Sequence, residues 1–199
     1  MALRGRKTSR RSLLFALCLL VLQMAFAKAA LGAEVKVLED FSVITSIDED
    51  VVQATQRWRL RSWADHEFKQ DDAVKHSEPA SLRVGGGFGD DPTGTRFEVF
   101  LREADQDISG YQRITVMIYP HKEVNAGAIM FRLTAGGTRT GFYAPADRRT
   151  LPANTWSKVT FNIPSIPNLD KTTLIEIYLG RGNQQSYTFN IDTLALERD

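Results

Sequence analysis

The chain has 199 residues, 25 Lys and Arg against 24 Asp and Glu, 43% hydrophobic residues and one cysteine. The charge is unevenly placed: the first 33 positions hold six basic residues and no acidic one, leaving 19 against 24 in the rest. A mildly acidic remainder of 166 residues excludes the basic footprint of a nucleic-acid binder and is long enough for one domain with a sizeable core.

Residues 1–33 have the layout of a secretory signal peptide. Arg4, Arg6, Lys7, Arg10 and Arg11 precede an apolar run from Leu13 to Ala27, and small residues follow. The run is shorter than the ~20 residues of a membrane span, so the mature form is expected to carry none. Ser9-Arg10-Arg11-Ser12-Leu13-Leu14 is similar to a twin-arginine export motif. Cleavage is expected after Ala29 or Ala33, which places the mature protein in the periplasm or outside the cell. Cys18 leaves with the leader, so no disulfide or cysteine ligand remains.

Val35 to Phe41 reads as a first strand ending in Glu39 and Asp40. In the next stretch, Asp48-Glu49-Asp50 suits the start of a short helix through Arg57, whereas Trp58 to Trp63 alternates as a strand does. Ala80 to Val84 is a strand closing on Gly85-Gly86-Gly87, and Gly85 to Gly94 reads as a loop. Phe97, Val99 and Leu101 share one face of a strand. The same period-2 pattern recurs at Ile114 to Tyr119, Ile129 to Thr134, Val159 to Ile163, Leu174 to Gly180 and Tyr187 to Asp192. With no long amphipathic helix and no internal repeat, the fold class is all-β: a single antiparallel β-sandwich over residues 34–199.

Several segments carry a family resemblance: Asp40-Phe41, Ala80-Ser81-Leu82-Arg83-Val84, Asp107-Ile108-Ser109-Gly110-Tyr111, Trp156-Ser157-Lys158-Val159-Thr160-Phe161 and Asn190-Ile191-Asp192. Their order and spacing resemble the jelly-roll carbohydrate-binding modules of the galactose-binding-like superfamily. The resemblance implies a non-catalytic domain that binds a polysaccharide or glycoconjugate on its concave sheet. It also implies a structural calcium between the first and last strands, with Glu39, Asp40 and Asp192 at the matching positions. Residues 42–76 match the pattern poorly, and Glu78-Pro79 stands where the family often has glycine.

The alternation itself nominates a binding face. If Ile114, Ile118, Ile129, Phe131, Ile175 and Ile177 point inward, Tyr119, Met130, Arg132, Glu176 and Tyr178 point outward, with Tyr143 and Arg181 flanking them. Aromatic rings stack on the C–H faces of sugars, and guanidinium and carboxylate groups bond their hydroxyls. The alternative reading of Arg132 and Glu176 is a cross-strand ion pair on a solvated sheet. Trp156 reads as core, and Trp63, more than Trp58, as an exposed aromatic.

Catalytic signals are sparse. His66, His76 and His121 lack metal-ligand spacing, no Gly-x-Ser-x-Gly elbow is present, and Glu176 has no evident partner carboxylate for glycoside hydrolysis. A small polysaccharide lyase, with Tyr143 or His121 as base, is the enzymatic alternative. An envelope accessory or assembly protein is the other, similar to the branch of the superfamily related to the complex I intermediate-associated protein.

Overall fold

The computed structural model describes residues 33–48, 51–54, 57–61, 66–87, 96–125, 129–145, 148–180 and 186–199. The expected leader, and Arg181 and Trp63 among the expected site residues, lie outside them. Val35–Arg198 form one compact unit. Among the described residues no helix is long and apolar enough to cross a membrane.

Among the described residues fifteen strands follow in chain order: β1 (Glu34–Glu39), β2 (Ser46–Asp48), β3 (Val51–Gln53), β4 (Arg57–Arg61), β5 (His66–Asp71), β6 (Ser81–Gly87), β7 (Arg96–Gln106) and β8 (Arg113–Pro120). The rest are β9 (Val124–Asn125), β10 (Ile129–Ala135), β11 (Thr138–Tyr143), β12 (Thr150–Leu151), β13 (Ser157–Asn162), β14 (Thr172–Gly180) and β15 (Ser186–Arg198). One sheet runs β13-β8-β15-β6-β5, with β1 also paired to β15. The other runs β11-β10-β14-β7-β4-β3-β2, and β9 and β12 form a small separate pair. The pairs given by register are all antiparallel, and the whole is the expected β-sandwich.

The expected helix from 48 to 57 does not form. Ser46–Asp48 and Val51–Gln53 pair as strands, and Val52 continues opposite Trp58 of β4. Val51 and Val52 prefer a pleated setting, and the seven-stranded sheet supplies a partner edge for it.

Alternation decides the core. On β10, Ile129, Phe131, Leu133 and Ala135 are buried and the residues between them are partly exposed. Ile175, Ile177 and Leu179 of β14 join them from the same sheet. Val116, Ile118, Val159, Phe161, Phe189 and Ile191 close the core from the other sheet. Phe161 meets Phe131 at 5.2 Å and Phe142 at 6.3 Å between ring centroids, a tilted and an edge-on contact that tie the two sheets together.

β15 departs from simple alternation, being buried on nearly every residue of 187–197. The segment 72–79 explains part of this, because its backbone bonds to the face of β15 turned away from the core. The register of β15 on β8 shifts between Asp192 and Ala195, and Thr193 there takes a φ of 44°. A β-branched residue in that region is strained, and the Thr193 hydroxyl bond to Asp192 Oδ1 at 2.8 Å helps hold it.

Candidate functional site

The site is built on three neighbouring strands. Register places Arg132 of β10 opposite Glu176 of β14 and Gly141 of β11, and Met130 opposite Tyr178 and Tyr143. Thr134 stands opposite Arg139. These residues alternate with the core positions, so Arg132, Glu176, Tyr178, Arg139 and Tyr143 share the face of this sheet turned away from the core.

Glu176 is the centre of the group. Arg132 grips it with both arms of the guanidinium, Nε to Oε2 at 2.6 Å and Nη2 to Oε1 at 2.8 Å. Arg139 approaches both oxygens at 3.5 Å, and the Tyr178 hydroxyl donates to Oε1 at 3.2 Å. The Arg132 guanidinium also lies 4.4 Å from the centroid of the Tyr178 ring, so one cation serves a bidentate bond and a cation–π contact at once.

Exposure corrects the sequence reading. Glu176 and Tyr178 were expected to point out to solvent, yet they are only 3% and 2% exposed. They share the outward face, but a sheet face is not the same thing as a wet surface: Arg132 lies over both side chains. The accessible groups are Tyr143, 60% exposed, and Arg139, with 54% of its side chain in solvent. The Arg149 guanidinium sits 5.7 Å from the Tyr143 ring centroid and its Nε donates to the Ala144 carbonyl. Gly141 lies between Arg139 and Tyr143 in sequence. A Cβ there would meet Met130 Sδ at 3.0 Å, so the absent side chain lets the thioether close on the sheet.

Tyr119 does not belong to this face. It lies on β8 in the opposite sheet, opposite Asn190 of β15. Its ring packs on Trp156 at 5.4 Å and on His121 at 5.5 Å, and Trp156 also meets His76 edge-on at 5.7 Å. Period-2 patterning states which way a side chain turns within a strand; it does not state which of two sheets the strand joins. Trp156, expected in the core, is partly exposed within this second aromatic cluster.

The expected calcium ligands have other work. Asp192 is fully buried, and its Oδ2 accepts the backbone N–H groups of His76 and Ser77, both at 2.9 Å. Its Oδ1 accepts the Ser77 hydroxyl at 2.6 Å and that of Thr193. Asp40 accepts the Ser42 N–H, and its hydrogen bonds to Ser42 hold its carboxyl below the usual range. Glu39 Oε1 accepts the Phe41 N–H at 3.0 Å. Calcium needs six to eight oxygen ligands, and a carboxylate already accepting four donors cannot serve as one without releasing them. The set does not fit the ion, and among the described residues no group of three His, Asp or Glu is placed to hold a metal.

Sequence reasoning missed a polar network on the other sheet. Asn190 is buried, and its Nδ2 donates to Asp71 Oδ2, the Val74 carbonyl and Ser81 Oγ. Its Oδ1 lies 2.7 Å from His121 Nε2. Burial of Asp71 opposes its charge, but hydrogen bonds from Asn190, Val74 and Ala73, together with Arg83, bring its carboxyl below the usual range. At the far end of the sheet Glu197 is likewise lowered: burial opposes its charge, and Lys158 and Arg113 outweigh it. The signal for the Asn190 network was weak, since Asp71, Val74 and Ser81 stand more than a hundred residues from it in sequence and His121 stands 69 away.

No known protein family matches the chain by sequence, and no curated protein does. Among solved structures, the family 11 carbohydrate-binding module of Clostridium thermocellum, in complex with a β-1,3-1,4-mixed-linked tetrasaccharide, superposes with a TM-score of 0.50 at 16% identity. That match covers 81% of this chain and 94% of the module. The CBM22-2 xylan-binding domain of Paenibacillus barcinonensis matches with a TM-score of 0.50 and 11% identity, over 81% of this chain and 98% of its own. A β-1,2-glucanase from Parabacteroides distasonis gives 0.55 at 13%, over 80% of this chain and 24% of the enzyme. At these identities the likeness establishes the fold: the chain has the jelly-roll β-sandwich found in carbohydrate-binding modules.

Proposed function

We propose that this chain is an exported, non-catalytic carbohydrate-binding domain that engages a polysaccharide on the sheet carrying Arg132 and Tyr143. The observation that supports this best is the exposed Tyr143 ring, flanked by the Arg149 guanidinium and set opposite Met130 in a row whose neighbour holds Arg132 and Glu176. A ring of that kind offers a flat apolar surface to a sugar face, and the guanidiniums of Arg139 and Arg132 offer paired donors to hydroxyls. Glu176 and Tyr178 act from beneath as the fixed base that orients Arg132.

The solved neighbours with the same fold bind a mixed-linked tetrasaccharide in one case and xylan in another, so neutral β-glucans and xylans are the first probes. The test is affinity electrophoresis of the mature protein on β-glucan, xylan and a pectin, with Tyr143→Ala and Arg139→Ala beside it. Retention by at least one polysaccharide, lost in Tyr143→Ala while the melting temperature stays put, supports the reading. Equal retention of wild type and Tyr143→Ala sinks it.

A second reading, contact with an envelope protein, rests on a different observation. Val35, Val37, Val43 and Ile47 are each 40% exposed or more near the start of the domain. Absence of glycan retention together with a stable partner that is lost on Val37→Glu would favour it.

A further inference from the structure

Away from the candidate glycan face, a cavity of about 250 Å³ opens beside the network of Asn190. Arg83 of β6, His121 and Lys122 after β8, and Tyr187 and Thr188 of β15 line it, with Glu123 at the same rim. It is built from two pieces: the ends of the paired strands β6 and β15, and the turn that leaves β8, whose His121 N–H donates to the Thr188 carbonyl at 3.0 Å.

The chemistry of the lining is cationic and rich in donors. Arg83 stands opposite Asn190 on one side and Lys69 on the other, and its Nε is buried with no hydrogen-bond partner. The Nε is sealed from solvent, so it is through the rest of its side chain that Arg83 lines the cavity. Asp71, the carboxylate whose charge Arg83 feels, accepts the Ala73 and Val74 N–H groups and Asn190 Nδ2 instead. The three acceptors around Asn190 Nδ2 fix the amide orientation, so Oδ1 must accept and His121 Nε2 must carry the proton. That ring is thereby held in one tautomer at the cavity wall. Tyr187 has its hydroxyl pushed up to about 12 by burial, so it stays a neutral phenol and brings no negative charge to the cavity. Among the described lining residues Glu123 is the single carboxylate.

We propose that this cavity is a second binding site, for one small oxyanion-bearing sugar unit, with Arg83 the anchoring donor and Lys122 the second cation. The oxyanion is the carboxylate of a uronic acid or the sulfate of a sulfated sugar. A guanidinium binds either one through charge-assisted bonds. The volume, below the ~300 Å³ at which drug-sized pockets begin, is matched to one sugar ring.

Isothermal titration calorimetry of the mature protein with galacturonate, galactose 6-sulfate and neutral galactose tests this. At least one anionic probe binds about tenfold or more tightly than galactose, and which of the two does so identifies the oxyanion. Arg83→Ala abolishes that binding, Lys122→Ala weakens it several-fold, and Tyr143→Ala leaves it unchanged. The site is overturned if neither anion binds, if galactose binds as well as the anions, or if folded Arg83→Ala keeps full affinity. Should Arg83→Ala fail to fold, Lys122→Ala decides: unaltered affinity overturns the site, and a several-fold loss that shrinks as salt is raised upholds it. Loss in Tyr143→Ala would assign the anion to the glycan face instead.

Discussion

Arg132 and Glu176 stand directly opposite one another across β10 and β14, joined by two charge-assisted hydrogen bonds of 2.6 and 2.8 Å. The carboxylate is buried at 3% exposure, while the arginine keeps 16% of its side chain in solvent. The pair therefore has a buried half that fixes position and an accessible half that can meet a ligand. That division separates two effects of mutation which a fully exposed pair would mix.

Glu176→Ala leaves the Arg132 guanidinium under the sheet's outer layer without its counter-charge. Breaking a buried pair from one side costs about 3 kcal/mol, and the partial exposure of Arg132 keeps the loss near the lower end of that range. Urea unfolding should show that drop with the slope unchanged, and the double variant Glu176→Leu with Arg132→Met should recover most of it. A loss under about 1 kcal/mol in Glu176→Ala would mean the pair behaves as an ordinary surface one.

Asp192 ties the segment around Ser77 to β15 through four accepted hydrogen bonds. Asp192→Asn keeps the shape but turns one oxygen into a donor facing donors. Each buried group so stranded costs about 1–3 kcal/mol, so a fall of several degrees in melting temperature follows. Calcium at millimolar concentration should leave the wild-type melting temperature unmoved, because binding it would require breaking these same bonds. A calcium-dependent rise that Asp192→Asn abolishes would contradict the assignment of Asp192 as a hydrogen-bonding clasp.

How far the sequence carried these features depended on the kind of information each needed. Arg132, Glu176 and Tyr178 were legible as sharing a face, because β10 and β14 alternate strictly and pair in register. Their burial was not, since alternation says nothing of what lies above a side chain, and here the arginine itself does. Tyr119 alternated just as cleanly and fell on the other sheet, a choice made by long-range pairing of β8 with β15. Asp192 was marked as an ion ligand by the family resemblance; Ser77, whose hydroxyl it accepts in the structure, is 115 residues away. The acids at 48–50 suggested a helix start, and the sheet edge offered by β4 overrode that local preference.

Acid should weaken the sandwich through Asp71 and Glu197. Both carboxyls are held below their ordinary range in the folded state, so each contributes stability above its unfolded pKa and loses it as pH falls through the lower, folded value. The loss therefore begins near pH ~4 and deepens below it. In Asp71→Asn the difference in melting temperature from wild type should be largest at neutral pH and close as the medium becomes acidic. A difference that stays constant from pH ~6 to ~2.5 would show that the Asp71 charge is not what the network holds.

The hairpin joining β10 to β11 turns on Gly136 and Gly137, with φ of 53° and 81°, the left-handed pair that a two-residue turn between twisted strands requires. The turn sets the register that brings Arg139 opposite Thr134 and Tyr143 opposite Met130. The two glycines are not equivalent. A Cβ on Gly137 would meet nothing within 4 Å, whereas one on Gly136 would lie 2.6–2.8 Å from the side chain of Asn168, itself in the left-handed region. Gly137→Ala should thus cost about 1 kcal/mol, the backbone term alone. Gly136→Ala adds a steric clash to that term and should cost about 2–3 kcal/mol. Asn168→Gly in the same chain, by removing the obstructing side chain, should bring Gly136→Ala back to the cost of Gly137→Ala. Equal losses for the two single variants would mean the Asn168 side chain swings aside freely, and the hairpin would then be set by backbone strain alone.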